Sequence, residues 1–123
     1  MTEPLSHTLS KAERLSGKTG ISTLLKKGRY GNDTCLRFCY AACGTAPSNR
    51  ILISVPKKLF KRAVKRNVLK RRIRESYRLL KHRLSGEGVD IMFIYNSQEI
   101  LPFSEIYEAM GRILESISSD VNR

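Results

Sequence analysis

Long apolar runs are missing from these 123 residues. No stretch approaches the roughly 20 apolar residues that cross a bilayer, and Met1 to Gly20 holds no run of seven that could form a signal-peptide core. A cytoplasmic location, with no membrane partner, is the expectation. Cysteine is scarce. Cys35, Cys39 and Cys43 make neither an even disulfide set nor a CxxC pair, which fits a reduced compartment. If they share one strand face, cysteines four apart lie about 13 Å from each other, too far for a common zinc. A buried or cleft-lining role fits them better. The eleven acids are scattered and build no paired-carboxylate array of the kind a two-metal nuclease needs. His7 and His82 have no cysteine nucleophile or carboxylate pair near them in sequence. No catalytic residue and no metal ligand is assigned, and a protein that cleaves nucleic acid unaided ranks last among the functional classes.

What is abundant is positive charge, and it is concentrated. From Lys57 to Arg83 thirteen Lys and Arg face the single acid Glu75, while the ten basic and ten acidic residues elsewhere cancel, so one segment carries the whole net charge of +12. Packing so much like charge together costs folding energy through self-repulsion, a cost that makes sense when a polyanion normally neutralises it. Nucleic acid is the first candidate.

The chain reads as one domain over residues 17–119, with a flexible arm at 1–16 and a short tail at 120–123. Ile21, Leu24 and Leu25 share a helical face, and Lys26, Lys27 and Gly28 suit a helix C-terminus, so a short helix ends before Arg29. Thr34 to Ala42 alternates, with Leu36, Phe38 and Tyr40 on one face and Cys35, Arg37, Cys39 and Ala41 on the other, a strand pattern. Gly44 to Asn49 has turn composition, and Ile51 to Val55 is a second strand, expected to pair with the first as a hairpin. Pro56 suits the first turn of a long helix running to about Leu84, with Leu69, Ile73, Tyr77, Leu80 and Leu84 as its core stripe. Val89 to Tyr95 is almost continuously apolar, as in a central strand covered on both faces. Phe103, Ile106, Met110, Ile113, Leu114 and Ile117 mark a last helix. The order implies an α+β or two-layer α/β sandwich.

Winding the basic segment at 100° per residue puts Asn67, Arg71, Arg74 and Arg78 within about 60° of one another, away from the Leu69 and Ile73 stripe. Guanidinium groups fork onto phosphate oxygens, so this polar ridge suits a folded nucleic acid. Lys61, Lys65 and Arg72 form a second row beside it. Membrane binding is weaker, because the apolar stripe is needed for the core and lacks Trp and Phe. A DNA reader is weaker too: neither helix-turn-helix length nor zinc-ligand spacing nor a heptad zipper is present.

The run Lys57-Lys58, Ala63-Val64, Arg66-Asn67, Lys70-Arg71, Arg74-Glu75 and Arg78 resembles the signature helix of the bacterial ribonuclease P protein family, roughly KK(x4)AVxRNxxKRxxREaxR. ILISV before it and GVDIMFIY after it are similar to the flanking family strands, and Arg14-Leu15 with Gly28 to the family's RL(x12)G opening. The likeness spans residues 11 to 118. It implies three helices around a sheet of about four strands, with a left-handed βαβ crossover. It also implies a non-catalytic protein subunit whose partners are ribonuclease P RNA and precursor tRNA, without an obligate protein partner. The RNA would carry the catalytic centre and the Mg2+, and the holoenzyme would remove the 5′ leader. By position, Lys57, Lys58, Lys61, Arg62, Arg66, Asn67, Lys70, Arg71, Arg74 and Arg78 would contact RNA, while Ile21, Leu25, Arg37 and Cys39 would line the leader cleft. The alternative is a structural RNA-binding protein of ribosomal type with no part in cleavage.

Several positions depart from the family pattern. Val68 stands where a third basic residue is common. Ile21 and Leu25 replace usual aromatics, Cys39 replaces a cleft tyrosine, and Pro56 replaces a small polar residue. Stacking is worth roughly 1 to 3 kcal/mol per base, so a cleft without these rings should rely on charge and apolar contact.

Overall fold

A computed structural model describes residues 18–42, 49–84 and 88–121. The expected arm at 1–16, Cys43, most of the following turn and the stop at 85–87 lie outside the described residues. The elements are α1 (Lys18–Lys27), β1 (Arg29–Asp33), β2 (Leu36–Ala42), β3 (Arg50–Ser54), α2 (Ala63–Leu80), a single 3-10 turn (Lys81–Arg83), β4 (Val89–Tyr95) and α3 (Phe103–Val121). The four strands form one mixed sheet in the order β1-β2-β4-β3. This is the α+β class expected, with three helices on a four-stranded sheet.

Strand β4 lies between β2 and β3 because it is the most apolar strand. Its Val89, Ile91, Phe93 and Tyr95 are fully buried against the helical layer of α2 and α3, and Met92 and Ile94 are half-buried on the other face. It pairs antiparallel with β2, Cys39 opposite Met92, and parallel with β3, Leu52 beside Met92. The expected hairpin between β2 and β3 therefore does not form. Either strand gains more by pairing with β4, whose side chains bury apolar surface, than by pairing with the other. A parallel neighbour needs a long crossover, and α2 is that crossover from β3 to β4.

Three further expectations are corrected. Arg29 to Asp33, read as the residues after a helix, is strand β1, paired with β2 from Arg29 opposite Tyr40 to Asp33 opposite Leu36. A tight turn at Thr34 and Cys35 joins them, with Thr34 at a positive φ of 51°. This turn breaks the alternation, so Cys35 packs in the helical-layer core while Cys39 lies on the opposite sheet face with Leu24. The long helix starts at Ala63, not at Pro56. The Pro56 carbonyl accepts the Leu59 and Phe60 N–H groups at 3.1 and 3.4 Å in a turn that lets both Val55 and Phe60 reach the core. Finally, α3 continues to Val121, two residues into the expected tail, and Asp120 there is bonded to β1 and β2.

The core stripe of α2 is as expected: Leu69, Ile73, Tyr77 and Leu80 are buried, joined by Ser76, whose hydroxyl donates to the Arg72 carbonyl at 2.8 Å. Each such apolar side chain contributes roughly 1.5–3 kcal/mol on burial. Helix α1 lies on the opposite face of the sheet and covers it in part, Leu24 and Ile21 resting on Cys39, Ala41, Leu52 and Met92. Gly28 ends α1 with its N–H on the Leu24 carbonyl at 2.7 Å. Its φ is not positive. It is needed because a Cβ there would collide with the Cys39 sulfur and that same carbonyl. No described helix is long and apolar enough to cross a membrane.

Candidate nucleic-acid interface

Burial of the Leu69 and Ile73 stripe fixes where the rest of α2 points. Asn67, Arg71 and Arg74 are exposed and Arg78 is half-exposed, so the ridge lies on the solvent side. Lys57 and Lys58 sit on the turn after Pro56, and Lys61 and Arg62 on the approach to Ala63, all four off the helix and at least partly open to solvent. Lys70 is half-buried at the flank. Among the described residues none of Lys57, Lys58, Lys61, Arg62, Lys65, Lys70, Arg71 and Arg74 has an acidic partner. A field of this kind, uncancelled from within, is what attracts and holds a polyanion.

Four arginines of the segment are partly committed elsewhere, Arg83 among them through its 3.4 Å contact with Glu115 of α3. Arg66 donates through Nη1 to the Phe60 and Lys61 carbonyls, both at 2.8 Å, and so ties the turn to the first helical residues. Arg72 donates to the Leu101 carbonyl at 2.6 Å, which holds the loop before α3 and removes it from the expected second row. Arg78 forks onto Glu75 three residues earlier, and that carboxylate raises the guanidinium pKa. Charge alone does not distinguish such structural arginines from the others in sequence. The exposed Val64 also stands in the basic face, 73% accessible.

Elsewhere, several basic residues meet acids. Arg50 and the buried Asp90 form a two-bond fork, Nε and Nη2 each at 2.8 Å, joining the first residue of β3 to the second of β4. Arg29 binds both oxygens of Asp120 at 3.0 and 3.1 Å, and the Tyr40 hydroxyl donates to the same carboxylate at 2.7 Å. Arg112 forks onto Asp33, whose carboxyl is held below its usual range first by that guanidinium. These pairs tie α3 and the sheet together, and local pattern does not signal them because their partners lie up to 91 residues apart.

The expected leader-cleft residues lie on the α1 side of the sheet and are only partly gathered. Ile21 is half-buried, Leu25 is 42% exposed, and both line a shallow concavity of about 430 Å³ with Ser22 and Lys26. Arg37 is exposed on β2. Cys39 is a correction: it is fully buried beneath α1, its thiol donating to the Leu24 carbonyl at 3.4 Å, with its pKa pushed up chiefly by burial. The small side chain fits between α1 and the sheet, against Leu24, without facing solvent. Directly opposite it in register stands Tyr30, 48% exposed, which sequence reasoning missed because β1 was not recognised. A larger concavity of about 540 Å³ opens between the ends of α1 and α3, where Arg29 and Arg50 already meet Asp120 and Asp90, and α2 contributes nothing to it.

Among the described residues no three His, Cys, Asp or Glu side chains come together to hold a metal. The surface thus offers many cationic contacts. Comparison with known proteins agrees with that chemistry: the family model described as Ribonuclease P matches residues 9–118. The chain belongs to the ribonuclease P protein family. It is 37% identical to the ribonuclease P protein component of Porphyromonas gingivalis over 129 aligned positions, covering 98% of this chain and 94% of the relative. It is 31% identical to that of Chlorobaculum tepidum, covering 89% and 81%. The solved RNase P protein of Staphylococcus aureus superposes with a TM-score of 0.75 at 26% identity, covering 86% of this chain and 95% of that one. That of Thermotoga maritima gives 0.74 at 25%, covering 85% and 97%. As a ribonuclease P protein component the chain is an RNA-binding subunit in tRNA processing. Nothing in these matches supports the ribosomal-type alternative.

Proposed function

We propose that α2 and the turn before it grip the RNA subunit of ribonuclease P, and that the α1 side of the sheet holds the 5′ leader of precursor tRNA. The observation that carries this reading is the row of cations without acidic partners among the described residues, set on a helix whose other side is anchored in the core. Lys57, Lys58, Lys61, Arg62, Asn67, Lys70, Arg71 and Arg74 are the contacts to RNA phosphates and base edges, each guanidinium able to bond two oxygens. Arg66 contributes with the donors its backbone contacts leave over, and Arg78 shares itself with Glu75. Ile21, Leu25 and Arg37 face the leader.

In this reading the hydrolytic centre and its Mg2+ belong to the RNA, and the protein positions the substrate and screens the repulsion between two RNAs. Cytoplasm is the compartment that fits, with both described cysteines as free thiols. Reconstitution tests the assignment. The purified chain, mixed with ribonuclease P RNA at low magnesium, should accelerate leader removal from precursor tRNA. Tight binding with no gain in cleavage would leave only a structural RNA-binding role, and cleavage by the protein alone would overturn the placing of the catalytic centre.

A further inference from the structure

We propose that the Tyr30 ring, with Arg37 laid over it, is a stacking platform for one nucleobase of the single-stranded RNA that the α1 side of the sheet holds. This deepens the leader-binding reading above and rests on it. Cys39 brings no ring to the cleft, and the residue directly opposite it in the β1–β2 register is Tyr30. Paired residues of antiparallel strands project to the same face. The aromatic surface that β2 lacks is thus supplied one strand outward, on the edge of the sheet, where a ring is accessible while the small Cys39 fits beneath α1.

Two contacts suit the ring to this task. Its hydroxyl donates to the Leu25 carbonyl at 3.0 Å, so the plane is fixed before any ligand arrives and little ordering entropy is lost on stacking. The Arg37 guanidinium carbon lies 5.4 Å from the ring centroid, a cation–π arrangement that offers a second stacking plane and a charge for the adjoining phosphate. Arg37 has no acidic partner among the described residues, unlike Arg29 and Arg112 nearby. The carbonyl contact also brings the ring, 48% exposed, to the helix turn whose Leu25, 42% exposed, forms an apolar strip with Ile21, and Lys26 is exposed there too. An apolar strip bordered by cations fits a single strand of RNA, whose bases stack and whose phosphates need neutralising. A protein partner bound through the same strip would leave those cations uncompensated.

The test uses the reconstituted holoenzyme and three substrates: precursor tRNA, mature tRNA, and precursor carrying 2-aminopurine at successive leader positions. Tyr30→Ala should weaken affinity for precursor by about five- to 150-fold, the range for loss of one base stack. Affinity for mature tRNA and assembly with the RNA subunit should stay unchanged. Tyr30→Phe keeps the ring and should stay close to the parental protein. One leader position should show 2-aminopurine quenching in the parental and Tyr30→Phe holoenzymes and lose it with Tyr30→Ala. Parental leader preference that survives Tyr30→Ala, with its quenching intact, would overturn the platform and leave the leader reading standing. A parental holoenzyme that does not prefer precursor over mature tRNA would overturn both.

Discussion

The two sides of this molecule treat positive charge in opposite ways. Along α2 and the turn before it, Lys57, Lys58, Lys61, Arg62, Lys65, Arg71 and Arg74 stand toward solvent without acidic partners among the described residues. Around β1 and α3, Arg29, Arg83 and Arg112 each meet a carboxylate, Asp120, Glu115 and Asp33. One side settles its electrostatics within the fold; the other leaves them to a partner. Net charge alone therefore does not locate an interface. What locates it is charge without internal compensation on a backbone made rigid by the core.

If that contrast holds, RNA affinity should respond most to changes on the uncompensated side. Arg71→Ala with Arg74→Ala should cost about 3 kcal/mol or more of RNA affinity, since each charged hydrogen bond is worth about 1.5–3 kcal/mol. Far-UV circular dichroism should not change, because both side chains point away from the core; loss of helicity would show the face to be misread. With about five phosphate contacts, the parental log K should fall against log salt with a slope near −4, flattened in the double variant.

On the compensated side Asp90 matters most. Asp90→Ala removes the buried carboxylate onto which Arg50 forks and should destabilise the fold by about 2 kcal/mol, read from denaturant midpoints, with RNA affinity per folded molecule unchanged. A smaller change crosses the divide: Glu75→Gln removes the one acid of the ridge and frees Arg78, so RNA binding should tighten by about 0.5 kcal/mol, measured by titration at fixed salt. An unchanged or weaker affinity would mean that Glu75 orients Arg78 for its contact.

The weakest response carries a pH signature. Because Arg112 lowers the folded-state pKa of Asp33, that carboxylate stabilises the protein above its unfolded-state pKa, and the contribution is lost as pH falls through the lower folded value. Asp33→Asn should therefore lower the melting temperature slightly at neutral pH and not at all in strong acid. A difference that persists in acid would assign the effect to packing.

Periodicity revealed the parts of the fold that depend on local pattern. The α2 stripe, the apolar β4 and the α3 face all lie where spacing placed them, because burial of one side of a helix is written every three or four residues. The failures share a cause. β1, with the sequence RYGND, has no β-branched residue, and only its pairing with β2 makes it a strand. The β2–β3 hairpin was the shorter connection, and it lost to a strand that begins only at Val89. The start of α2 was hidden because Lys57 to Arg62 has helical composition, while the demand that Val55 and Phe60 both reach the core acts through space. At the interface, exposure followed from the stripe; the commitments of Arg66 and Arg72 to backbone carbonyls did not. Cys39 and Tyr30 needed the register, which no single segment contains.

The place of β4 in the middle of the sheet also orders events in time. As the polypeptide leaves the ribosome, β2 and β3 are both made before the strand that joins them, and each must wait with an unzipped edge while the lysine- and arginine-rich stretch emerges. Distant pairing of this sort slows folding, because chain entropy is surrendered before the contact is gained. The newborn chain is therefore most vulnerable to aggregation in the interval when its cationic segment is already out and β4 is still to come.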